Sequence, residues 1–84
     1  MGKEQLKSLL QELIDKEISI DQSAKILWQL RYYIELKRDY ALDEGMGLEQ
    51  EYLADRQQLL ERTRLQLDHY FVVNDIRSIK IKEL

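Results

Sequence analysis

The sequence predicts an all-α fold, a long antiparallel αα-hairpin with a short N-terminal helix. It would close either as a three-helix bundle or as a dimeric four-helix-type bundle. Three observations predict this. Apolar residues recur at helical spacing through three separate segments. The 84 residues include no Pro and three Gly, two of which stand together at Gly45 and Gly47, so almost nothing interrupts a helix elsewhere. There is no Cys, so neither a disulfide framework nor a thiolate zinc site is available to staple a loop-rich fold. With no linker, repeat or low-complexity stretch, residues 1–84 read as a single helical domain.

The first helix is expected at about 3–16. Leu6, Leu9, Leu10, Leu13 and Ile14 fall on one face, and Asp15-Lys16-Glu17 ends the pattern. The second helix is expected at about 20–44. Ser19 followed by Gln22 has capping-box spacing, in which the hydroxyl accepts from the third amide while the Gln side chain reaches back. Asp21 adds negative charge to the first turn, where the helix dipole favours it. Gly45 is placed to supply a left-handed residue after the last turn. Gly45-Met46-Gly47 is then a three-residue connection, short enough to make the flanking helices antiparallel neighbours. The third helix follows at about 48–73, with Asn74 as its C-cap.

The tail, 74–84, supports two readings. Ile79-Lys80-Ile81-Lys82 alternates like a strand and could pair with Glu17-Ile18-Ser19-Ile20 or with another chain. The simpler reading is a frayed basic end, or a last helical turn using Ile76, Ile79 and Leu84, because isolated strand pairs are marginal.

The helical faces carry the functional clue. Tyr52, Leu53, Leu59, Leu60, Leu67, Tyr70 and Phe71 make an ordinary core stripe on the third helix, with Arg56 and Thr63 inside it. The second helix has a core face of Ile26, Leu27, Leu30, Tyr33, Ile34 and Ala41. It also has a separate row of Trp28, Tyr32, Leu36 and Tyr40, at i, i+4, i+8 and i+12. A helix apolar over more than half its circumference must bury more than one face. Helix 1 either covers the second row or leaves it to another chain. A domain this small buries only about 60–65% of its unfolded surface, which favours dimerisation as the source of the missing burial. Trp28, Tyr32, Leu36 and Tyr40 are therefore the expected partner or oligomer interface.

With the turn centred on Met46, residues whose numbers sum to about 92 should lie level. Lys37 then faces Arg56 on the core side of the hairpin. That pair is a candidate contact for an anion or an acidic partner. The structural alternative is a solvated polar layer whose stems reach out to water.

The remaining chemistry is mostly exclusion. Net charge is −3, from 13 basic and 16 acidic residues, and no segment is strongly basic. Ile18–Leu27 could open a helix-turn-helix, but the periodicity runs on through Tyr40 with no turn, which makes a nucleic-acid-associated regulator the alternative reading only. The single histidine, His69, has Gln66 three residues before it rather than the Glu of a bundle carboxylate site. Neither a metal nor a cofactor is expected. Small all-helical chorismate mutases have about this length, but they grip a dianion with an Arg on the first helix, where this chain has Lys3, Lys7 and Lys16. In outline a short acidic helical hairpin is similar to small type III secretion co-chaperones, an analogy of architecture alone. No apolar run reaches the ~18 residues of a membrane span, and MGKEQLKSLL lacks a signal peptide's apolar core, so a cytoplasmic setting is expected. Together these observations describe a non-enzymatic helical interaction protein, an adaptor, co-chaperone or inhibitor, that acts through its exposed aromatic row and self-associates, with a dimer favoured.

Overall fold

The computed structural model describes residues 2–84. Three helices account for most of it: α1 (Lys3–Asp15), α2 (Ile20–Gly45) and α3 (Gln50–Val73), followed by a single 3₁₀ turn at Ile81–Glu83. The fold is all-α, and no strand occurs among the described residues. Strand pairing by the tail is thereby ruled out among those residues.

Helix starts follow the local chemistry. Gln5 Oε1 accepts from the Gly2 amide at 3.0 Å, satisfying a donor at the start of α1. Ser19 Oγ accepts from the Gln22 amide at 3.2 Å, which is the hydroxyl half of the expected capping box.

The helix ends differ from expectation in one shared way. After α1, Glu17 takes φ 54°, the Glu17 amide donates to the Ile14 carbonyl at 3.0 Å, and the Ile18 amide donates to the Leu13 carbonyl at 3.1 Å. After α3, Asp75 takes φ 53°, its amide donates to Val72 at 3.2 Å, and the Ile76 amide donates to Phe71 at 2.8 Å. Both are Schellman closures with an acidic residue where Gly is usual. In each, the isoleucine beyond the bend packs towards the core, as Ile18 does beside Leu13 and Ile76 beside Phe71.

The hairpin turn also shifts. Gly45 remains helical and Gly47 takes the left-handed conformation, with φ 71°, so the turn residue is Gly47 rather than Gly45. The connection therefore spans Met46–Glu49, and α3 begins at Gln50, two residues later than expected. Register moves with it. Gln29 Nε2 donates to Gln66 Oε1 at 3.3 Å, which makes residues summing to about 95 lie level, rather than 92.

The core gathers at one end of the molecule. Leu9 and Leu13 of α1 meet Ile26, Leu30 and Tyr33 of α2, Leu67 and Phe71 of α3, and Ile76, Ile79 and Ile81 of the tail. The tail is not frayed. Ile76 and Ile79 are buried and Leu84 packs partly against the core, as a last helical turn would use them, but Ile76 and Ile79 sit in an irregular segment before the 3₁₀ turn, and Ile81 joins them. Thr63 is the other buried residue of α3, and its hydroxyl donates to the Leu59 carbonyl at 2.8 Å.

Beyond this core the hairpin continues alone. No buried residue occurs on α2 after Tyr33 or on α3 before Thr63, and Ala41, expected in the core, is exposed. The molecule is accordingly elongated, 45 × 23 × 18 Å with a radius of gyration of 14.3 Å. A compact chain of this length would have about 12 Å.

Candidate functional site

Trp28, Tyr32, Leu36 and Tyr40 share one side of α2 because i, i+4 neighbours stack along a helix. Trp28 is 61% exposed. Its ring stacks on Tyr32 with centroids 5.4 Å apart and planes 12° from parallel. Tyr32, Leu36 and Tyr40 are half-buried. Trp28 and Tyr32 thus brace one another, while Trp28, the largest member of the row, faces outward.

Helix α1 lies elsewhere. It packs through Leu9 and Leu13, and the groove it forms with α2 is lined by Leu10, Ile14, Ile18, Ile20, Ala24 and Leu27, not by Trp28. That groove encloses about 360 Å³. A second recess, of about 470 Å³, lies between Lys25, Trp28, Gln29 and Tyr70, at one end of the aromatic row. Gln29 is only 9% exposed, and its Oε1 has no hydrogen-bond partner.

Lys37 and Arg56 are engaged separately. Lys37 Nζ donates to the carbonyl of Leu84, tying the end of the tail to α2. Arg56 Nε donates to the Tyr52 hydroxyl at 3.0 Å, and its guanidinium lies 5.2 Å from the Tyr52 ring centroid. That hydrogen bond, with the nearby charges of Asp43 and Asp39, raises the Arg56 pKa further above its ordinary value. Both side chains are exposed. The shifted register accounts for the separation, since Lys37 now stands nearest the level of Gln58.

The most tightly organised polar group was not visible in the sequence. Glu12 on α1 accepts at its carboxylate from the amides of Arg77, at 2.9 and 3.1 Å, and of Ser78, at 2.9 Å. Lys16 Nζ adds an ion pair at 2.8 Å and also donates to the Asp75 carbonyl. The Glu12 side chain is 14% exposed. Burial alone would raise its pKa. Lys16, the Ser78 side chain and the two backbone amides outweigh that and bring it down to about 2. The i, i+4 spacing of Glu12 and Lys16 was readable, but the partners 65 and 66 residues away were not.

His69 is exposed, beside Tyr70 with ring centroids 6.2 Å apart. Among the described residues no cluster of three His, Asp or Glu could hold a metal ion, and no helix is long and apolar enough to cross a membrane. The chain matches no family model, no curated protein and no solved structure.

Proposed function

We propose that this chain is a small non-enzymatic helical interaction module, an adaptor, co-chaperone or inhibitor, that self-associates and presents Trp28, Tyr32, Leu36 and Tyr40 to a protein partner. The observation that carries this reading is Trp28 itself, an indole 61% exposed yet held in place by stacking on Tyr32. Trp and Tyr bring large contact area with few rotors to freeze, so an ordered, exposed pair loses little entropy when covered. Leu36 and Tyr40 extend the strip along α2, in the manner of a helix that docks by one face. A cytoplasmic setting belongs to the same reading.

Site-specific photo-crosslinking tests it. A photoreactive residue at Trp28 or Tyr32 should give a protein adduct in cells, while one at exposed Leu65 on α3 should give little. Equal adducts at all three positions, or none at the row, would remove the basis for the proposal.

A further inference from the structure

We infer that the occupant of the α2 row is a second copy of this chain, lying antiparallel with its own row face to face. The inference rests on the reading of the row as an interface and names its partner.

The first support is surface area. The chain exposes 6277 Å². A compact monomer of 10.1 kDa would expose about 5,300 Å². The excess, about 1,000 Å², is close to the roughly 800 Å² that each partner contributes to a standard interface. It comes from a hairpin that outruns its core, where Leu36 and Tyr40 are half-buried and Leu42 and Met46 are exposed.

The second support is charge, and it sets the direction. At 100° per residue, Trp28, Tyr32, Leu36 and Tyr40 span a sector of about 120° on α2. Lys25 and Asp43 are 18 residues apart, which is five whole turns, so they share one angular position. That position is the middle of the sector. The middle of the row therefore carries a cation at one end and an anion at the other, about 27 Å apart, and Asp21 and Asp39 share its Trp28 edge. Neither forms a salt bridge or a side-chain hydrogen bond among the described residues, although the charge of Asp43 also acts on nearby Arg56.

A two-fold axis level with Ile34 sets Lys25 against the second copy's Asp43 and Tyr32 against its Leu36 at the centre of the contact, while Trp28 and Tyr40 flank that centre on opposite edges. Each contact occurs twice, as an isologous interface requires. The recess beside Lys25 and Trp28 lies where the second copy's Asp43 arrives. A parallel pairing would instead set Lys25 against Lys25 and Asp43 against Asp43, and like charges opposed are unfavourable.

Light scattering over a concentration series, with charge-reversal variants, tests the inference. The wild type should approach twice the 10.1 kDa chain mass. Lys25→Asp and Asp43→Lys should each raise the dimer dissociation constant about tenfold, since two exposed pairs are lost and replaced by like charges. The double variant should recover most of that loss. Tyr32→Glu should give a monomer whose helical circular dichroism is unchanged. A wild type that stays monomeric throughout overturns the inference. So do single reversals that leave the dimer as tight or tighter, or a Tyr32→Glu protein that still dimerises. Crosslinking separates this from the broader reading. A row adduct to a different protein, with a monomeric wild type, discards the second copy and keeps the row as an interface, whereas the absence of any row adduct discards both.

Discussion

Replacing Glu12 by Gln should loosen the tail and remove a defined, pH-dependent part of the stability. The carboxylate holds the amides of Arg77 and Ser78 and the ammonium of Lys16. Gln keeps one acceptor but turns an NH₂ group towards an N–H. The magnitude follows from the pKa. The group falls from 4.5 to about 2 on folding. The unfolded chain therefore binds the proton more readily than the native one across that interval. The corresponding stability is complete above about pH 5 and is lost as pH falls through 4.5 towards 2. At about 1.36 kcal/mol per pKa unit, it amounts to about 3 kcal/mol at neutral pH. A domain of this size has roughly 4–12 kcal/mol in total, so the loss is large. Urea unfolding followed by circular dichroism, at one fixed protein concentration, measures it. Glu12→Gln should be about 2–3 kcal/mol less stable at pH 7, with the gap narrowing below pH 5 and nearly closed at pH 2. Equal stability at pH 7, or a gap of the same size at pH 2, would refute the reasoning.

Three further outcomes follow from particular residues. Glu17→Gly should raise stability by about 1 kcal/mol in thermal unfolding, because Glu17 sits at φ 54° and Gly accepts that conformation without a Cβ clash. Ile79→Ala should cost about 2–4 kcal/mol in the urea midpoint if the tail is part of the core, against almost nothing for a frayed end. Gln29→Met should stay within about 1 kcal/mol of the wild type, since removing a buried oxygen that has no partner offsets the hydrogen bond to exposed Gln66 that is also lost.

What could be read from the sequence was local. Helix number, the Ser19 cap and the existence of the hairpin all depend on residues within a turn or two of each other. The aromatic row was legible for the same reason, being an i, i+4 pattern on one helix. The fate of the tail was not legible, because Glu12 and Arg77 are joined only by the fold. The turn was misjudged by two residues because both Gly45 and Gly47 can adopt the left-handed conformation, and only one of them does. That small shift moved the register by three and separated Lys37 from Arg56. The two Schellman closures escaped notice because acidic residues occupy the positions where Gly is the usual signal. A trace was present, in the apolar pairs Leu13 with Ile18 and Phe71 with Ile76, each five residues apart.

The apolar excess of α2 links these parts. One face of the helix closes a core at one end of the molecule, in which the tail does as much as α1. On the other side Trp28 is exposed, while Tyr32, Leu36 and Tyr40 stand half-buried along a hairpin longer than that core. The reading of this chain as an interaction module depends on whether Trp28 and its neighbours become covered.

The chain has one tryptophan, Trp28, and it stands in the row. Acrylamide quenching of its fluorescence across a dilution series therefore reports on this face alone. The account predicts strong quenching in dilute solution that falls as concentration rises, with the midpoint shifted to higher concentration in Lys25→Asp. Quenching that stays strong and independent of concentration, in a protein of constant mass, would contradict it.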